Sequence, residues 1–86
     1  SKLALEDRWL LSRLSTVSQN MTQAIKEYRY ADAARSIHEF AWDDFCSNYV
    51  EMAKPRLQQS ELRDGVQQVL AFVLDRLLRL LHPMVP

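Results

Sequence analysis

The sequence predicts an all-α fold, an antiparallel bundle of three main helices, and three observations carry that reading. Its 86 residues include one Gly and three Pro, too few turn signals for a series of hairpins. Leu and Ala, thirteen and eight of them, outnumber all the β-branched residues. Apolar positions recur at helical spacing in three segments, with no internal repeat or low-complexity tract. At 48% hydrophobic and 26% charged residues, the composition is that of a folded domain and not of a disordered chain. One domain of this size buries only somewhat more than ~60% of the surface of its unfolded chain, so its stability is marginal and partners or flanking chain matter.

The first helix is expected from about Leu5 to Glu27. Leu3, Leu10, Leu14, Val17, Met21, Ala24 and Tyr28 fall on alternating steps of three and four, and Trp9, Leu11 and Ile25 widen the stripe. Its middle, Ser15 to Asn20, holds poor helix formers and no charge, so packing has to keep it helical. This uncharged face reads as solvated, with RNA sugar edges or another domain as its alternative partners.

The second helix is expected over about 31–53, with Asp32 in its first turn and Lys54-Pro55 ending it. Ala33, Ile37, Ala41, Phe45, Tyr49 and Ala53 form one row at a spacing of four, and Ala34, His38, Trp42, Cys46 and Val50 form the row beside it. Such rows slant by roughly 26°, so the buried face turns along the helix. Five carboxylates, Asp32, Glu39, Asp43, Asp44 and Glu51, against Arg35 make this helix acidic.

The third helix is expected over about 60–82, capped by Ser60 or Asp64 and stopped by Pro83. Leu62, Val66, Val69, Leu70, Val73, Leu74, Leu77, Leu80 and Leu81 line one side, a width that implies contact with two other helices. Phe72 lies on the opposite strip beside Arg76 and Arg79; it reads as packing under a neighbouring segment, with base stacking as the alternative.

Catalytic chemistry finds little support. Cys46 and His38 are eight residues apart on one helix, roughly 12 Å along its axis, too far for a nucleophile pair. Cys46 reads as a small buried hydrophobe and His38 as a partly buried histidine with one hydrogen bond. Asp43 and Asp44 point in different directions, and no Gly-rich phosphate loop is present. One Cys and two His give no zinc-ligand set and no internal disulfide, so a metal-free, intracellular chain is expected. No apolar run reaches membrane-spanning length, and a start at Ser1 without Met suggests a fragment or a processed chain. Equal numbers of basic and acidic residues, 11 and 11, leave no bulk field for a polyanion, so any nucleic-acid binding needs a local patch. The best candidate is the turn between the first two helices, where Lys26, Tyr28, Arg29 and Tyr30 combine cations with ring faces of the kind that receive unstacked bases. The competing reading has both Tyr capping the core.

Three stretches carry a resemblance: Asp7-Arg8-Trp9-Leu10-Leu11-Ser12-Arg13-Leu14, Tyr28-Arg29-Tyr30-Ala31-Asp32-Ala33-Ala34, and Leu77 through His82 to Pro83-Met84-Val85-Pro86. In that order they resemble the helical anticodon-binding domain of class I aminoacyl-tRNA synthetases. The middle, with Trp42, Phe45-Cys46, Glu51 and Lys54-Pro55-Arg56-Leu57, is similar to the valine-specific branch. Isoleucyl enzymes usually have Asp where Pro55 stands and lack the Phe-Cys pair, and leucyl enzymes are more distant.

The resemblance implies a cytoplasmic parent enzyme that attaches valine to tRNA-Val using ATP with magnesium, and that carries catalytic and editing domains. These residues contain neither of that family's ATP-site signatures, so the chain itself is expected to hold no catalytic site, no cofactor and no membrane contact. The resemblance also implies tRNA contacts: Arg8, Arg13, Lys26 and Arg29 toward phosphates or base edges, and Tyr30, where many relatives have Phe, for stacking. Trp9 and Trp42 are left to the core or to the parent's other domains. Two alternatives remain: the same domain of an isoleucyl or leucyl enzyme, and a protein-interaction bundle without RNA binding.

Overall fold

A computed structural model describes residues 3–82; the expected stop at Pro83 and the rest of that motif, Met84-Val85-Pro86, lie outside the described residues. The described chain is all-α: α1 (Leu5–Lys26), α2 (Tyr30–Glu39), a π-helical segment (Phe40–Tyr49), α3 (Val50–Leu57) and α4 (Ser60–Leu81). Phe40, Tyr49 and Val50 keep right-handed helical dihedrals, so α2, the π-helical segment and α3 form one continuous rod. Three rods thus pack into a body of 44 × 20 × 18 Å, with α1 touching both of the others.

On α1 the buried residues are Leu10, Leu14, Val17, Met21 and Ala24, the expected stripe, but also Asp7. Asp7 fills the gap between Leu3 and Leu10 and is only 1% exposed. Its carboxylate accepts four hydrogen bonds: from Tyr49 Oη at 2.7 Å, from Arg56 Nη1 and Nη2 at 2.7 and 2.8 Å, and from the Ala4 backbone N–H at 3.0 Å. Those bonds use the roughly four lone-pair sites a carboxylate offers, so no part of the buried charge is unmet. Arg56 Nη1 reaches Glu6 as well, at 3.1 Å. This one group joins the start of α1 to the end of the second rod.

The second rod departs from the expected uniform α-helix. In an α-helix, at about 100° per residue, the nine steps from Phe40 to Tyr49 leave the two rings about 180° apart. In the structure both are buried. Bonds reaching back five residues, such as Val50 N–H to the Phe45 carbonyl, widen the turn to roughly 4.4 residues and bring both rings to one face. The same widening turns the row beside it outward. Cys46 is exposed, not a buried hydrophobe, and Trp42 is 57% exposed. His38 is exposed too, its ring 6.1 Å from that of Trp42, not partly buried in the core. The rod also runs past Pro55 to Leu57. Pro55 lies in the last turn and is exposed, so water can meet the freed Glu51 carbonyl, and Arg56 beyond it is anchored on Asp7.

α1 ends in a Schellman motif: Tyr28 N–H donates to the Ile25 carbonyl at 3.1 Å and Arg29 N–H to the Ala24 carbonyl at 2.7 Å. Its left-handed position, usually Gly, holds Tyr28 at φ 61°. Tyr28 is 79% exposed, outside the apolar stripe it was expected to extend. α4 buries Val66, Val69, Val73 and Leu77, a narrower stripe than expected, and leaves Leu74 and Leu78 exposed. Neither Ser60 nor Asp64 caps it; Gln59 stands at the N-cap without a side-chain capping bond. Arg63 Nε instead closes the preceding helix end, donating to the Leu57 carbonyl at 2.9 Å.

Four outcomes follow from this structure. Asp7→Asn should cost about 3 kcal/mol in denaturant unfolding, because it takes the two-pronged carboxylate partner from a largely buried Arg56 and leaves it only Glu6. Burial alone would raise the Asp7 carboxyl, but the Arg56, Ala4 and Tyr49 bonds outweigh it and hold the group below its ordinary 3.8. The folded state therefore binds fewer protons than the unfolded one in acid. The Asp7 contribution should be full above about pH 4 and fade as pH falls through the lowered value, and Asp7→Asn should lose that dependence. Tyr28→Gly should raise stability by up to about 1 kcal/mol in thermal unfolding, since it removes a left-handed non-Gly residue. Native Cys46 should react with a thiol reagent nearly as fast as in the unfolded chain; strong native-state protection would contradict the outward turn of the π-helical segment.

Candidate nucleic-acid interface

The structure distributes the five sequence-predicted residues over two ends of α1. Lys26, Arg29 and Tyr30 gather at the corner between α1 and α2, whereas Arg8 and Arg13 lie in the first half of α1, about 20 Å or more along the axis from Lys26. Arg8 and Arg13, five residues apart, also point about 140° apart around the helix. Arg13 faces the π-helical segment and donates its Nε to Asp44 at 3.0 Å. Arg8 is exposed and has no ion-pair partner among the described residues. One continuous five-residue patch does not exist.

The corner is built from the backbone outward. The Schellman turn throws Tyr28 away from the core, and α2 starts two residues later at Tyr30, so Tyr28 and Tyr30 meet edge to face with centroids 6.3 Å apart. Both rings are exposed, so neither caps the bundle core. Between them Arg29 donates Nε to Glu27 at 2.7 Å and Nη1 to Asp32 at 2.8 Å, and Asp32 accepts from Arg35 at 2.9 Å. The Asp32 bond first, then the Glu27 bond, raises the Arg29 guanidinium above its usual range, so the group is a permanent cation. Arg29 and then Arg35 hold the Asp32 carboxyl below its usual value, and Gln23 and then Arg29 do the same for Glu27. These exposed pairs orient the guanidinium without burying it, and surface pairs of this kind exchange readily for another anion. A cleft of about 250 Å³ opens beside Arg29, walled by Asn20, Gln23, Ser36 and Asp32. Rings, an oriented cation and amides that both donate and accept form a surface able to stack and hydrogen-bond a flat polar ring.

Sequence reading missed the Asp7, Tyr49 and Arg56 group. Its signal was a carboxylate standing on an apolar stripe where the three-and-four spacing called for a hydrophobe. Burial first, then the bond to Asp7, raises the Tyr49 phenol well above its ordinary 10.0, and the Asp7 bond raises Arg56, so the group is locked as one anion, one cation and one neutral donor. It is structural support for the start of α1. Among the described residues no cluster of three His, Cys, Asp or Glu is placed to hold a metal, and no helix is long and apolar enough to cross a membrane.

Comparison with known proteins bears on the family of the chain. The family model described as the anticodon-binding domain of tRNA ligase matches residues 7–86. The chain is 57% identical over 86 residues to the valine–tRNA ligase of Rhodopirellula baltica, covering 100% of this chain and 8% of that protein. It is 57% identical over 84 residues to that of Gloeobacter violaceus, covering 98% and 9%. With that of Thermotoga maritima the figure is 50% over 80 residues, 93% and 9%. The chain thus spans about a tenth or less of the length of these relatives. No solved structure matches it significantly. With the motif order, the helical architecture and the match from Asp7 onward in agreement, the chain belongs to the anticodon-binding domain family of tRNA ligases.

Proposed function

We propose that the chain is the anticodon-arm recognition module of a valine–tRNA ligase, and that the Tyr28-Arg29-Tyr30 corner is the part that meets the RNA. One observation carries the site: two exposed rings and an oriented guanidinium stand at a helix end held in a left-handed conformation by a non-Gly residue. Strain of this kind persists where the surroundings enforce it, and it gathers at binding sites. Tyr30 supplies the stacking face, Arg29 and Lys26 reach phosphate or base edges, and Arg8 meets the backbone farther along α1. Arg13 joins only by giving up Asp44. The similarity to valine–tRNA ligases favours the valine branch over isoleucyl or leucyl relatives. A protein-interaction bundle would account for the amphipathic rods but not for the corner.

The parent enzyme, in this reading, joins valine to tRNA-Val with ATP and magnesium in the cytoplasm, and this module works beside its catalytic and editing domains. The residues here do not fit ATP with magnesium: the cleft beside Arg29 has no Gly-rich loop, and among the described residues no three His, Cys, Asp or Glu gather to hold a metal. No step of that chemistry runs through them. Their task is to hold the anticodon arm.

Anisotropy titration of a tRNA-Val anticodon stem-loop, against one with altered anticodon bases, at two salt concentrations tests the proposal. Arg29→Ala and Tyr30→Ala should each weaken binding, by about tenfold for the stacking ring, with helicity by circular dichroism unchanged. Arg29→Ala should also flatten the salt dependence by about 0.7–0.9 log units per log salt. Full-strength binding by both variants would remove the site assignment, and binding indifferent to sequence and salt would remove the recognition role.

A further inference from the structure

The charge balance of the chain hides an asymmetry that only side-chain placement reveals. Arg13, Arg29, Arg35, Lys54, Arg56 and Arg79 are each paired with a carboxylate. Arg63 spends its Nε on the Leu57 carbonyl. Arg8, Lys26 and Arg76 have no carboxylate partner among the described residues; helix geometry aligns the first two on α1, and Arg76 of α4 faces Ser15 and Ser18 of α1 across a cleft. Arg8 and Lys26 are eighteen residues apart, which is five full α-helical turns, so they share one line on α1 about 27 Å long. Ser15, seven residues after Arg8, stands about 20° from that line.

Between those two cations lies a cleft of about 410 Å³ between α1 and α4, lined by Leu11, Leu14, Ser15, Ser18, Phe72 and Arg76. Phe72 is 46% exposed, and the Arg76 guanidinium rests over its ring, 5.1 Å from the centroid. The cleft therefore offers a flat cation already stacked on a ring, an apolar floor, and serine hydroxyls on the opposite wall. Ser18 donates its hydroxyl hydrogen to the Leu14 carbonyl at 2.8 Å, so its oxygen faces a ligand as an acceptor.

We propose that this α1–α4 groove is a second RNA contact, a stacking slot for an unpaired base of a single strand whose phosphates run along the Arg8–Lys26 line. The inference rests on the RNA-binding reading of the corner and extends it, with Lys26 shared between the two. A single-stranded groove needs cations that track the backbone and flat faces between them, and here unpaired cations flank an Arg–Phe stack. A base slides onto the free face of the Arg76 plane or replaces it on Phe72. Charge decides against an apolar protein helix as the occupant, since the unneutralised Arg76 lines this cleft and two more unneutralised cations stand on the α1 line beside it, whereas exposed Leu74 and Leu78 point elsewhere on α4.

The test uses the anticodon stem-loop and, separately, an unstructured single-stranded RNA, each dye-labelled, with Phe72→Ala, Phe72→Tyr, Arg76→Gln and Tyr30→Ala. Arg76 is exposed, so Arg76→Gln leaves the fold intact even if Phe72→Ala does not. Phe72→Ala should weaken both RNAs by about tenfold and Phe72→Tyr should restore binding, because the ring face is what matters. Arg76→Gln should weaken binding and lower the salt dependence by about 0.7 log units per log salt. If Tyr30→Ala weakens the stem-loop while Arg76→Gln and Phe72→Ala leave both RNAs bound at full strength, the groove is overturned and the corner stands. If the single strand binds through Phe72 and Arg76 while the stem-loop is bound alike with either anticodon, the groove stands and anticodon recognition is overturned. Failure to bind either RNA, or an Arg76→Gln effect confined to self-association in sedimentation, overturns the groove.

Discussion

The buried Asp7 carboxylate is the constraint on which the rest of this small bundle depends. A charge that is 1% exposed is tolerable only when every lone pair is met, and the partners that meet it come from three places in the chain: Ala4, Tyr49 and Arg56. Tyr49 and Arg56 lie on the second rod, so the bonds set where that rod stands along α1. Removing one partner would leave the others as uncompensated polar groups in a site with little water, which makes the arrangement nearly all-or-none. In a chain this short, with a modest apolar core, such a cluster supplies positional definition that hydrophobic contact alone does not.

The π-helical segment follows from that constraint. Phe40 is drawn into the core next to Ile37 and Ala33, while Tyr49 is held at Asp7, and an α-helix between them would put the two rings on opposite faces. Widening the turns reconciles the two anchors, and Phe45 and Tyr49 then stack with planes 8° apart. What the rod loses in backbone geometry it regains through two buried rings and the Tyr49 hydrogen bond. The exposed Trp42 and Cys46 are the other side of the same rotation.

Charge placement links the fold to its RNA reading. A net charge of zero describes the sum, but the carboxylates are concentrated on the second rod and neutralise most of the cations that approach it. The cations left without a carboxylate among the described residues include Arg8 and Lys26 at the two ends of α1 and Arg76 on α4. A surface that attracts RNA only there would bind weakly in general and specifically where rings and amides add to the charge.

The all-α class and the α1 stripe from Leu10 to Ala24 were legible in the sequence because both depend on local spacing and residue type, whereas the spacing put Tyr28 on the buried stripe and left the rings of the corner undecided. The family resemblance was legible too, because its motifs are contiguous. Three features were not: the Asp7 group, the π-helical register and the separation of Arg13 from Arg8. Asp7 and Arg56 are 49 residues apart, and nothing in either neighbourhood says that they meet. The register of Phe40 to Tyr49 answers to anchors outside that segment, so a local reading at four-residue spacing put Cys46 inside when it is outside. Arg8 and Arg13 are equal cations in the sequence; only packing against Asp44 makes one a structural tie and leaves the other open to a partner. Local physics therefore determined which residues form helices and which faces are apolar, while the choice of buried charges, helical register and unpaired cations belonged to contacts across the chain, where burial and pairing of distant groups set the energies.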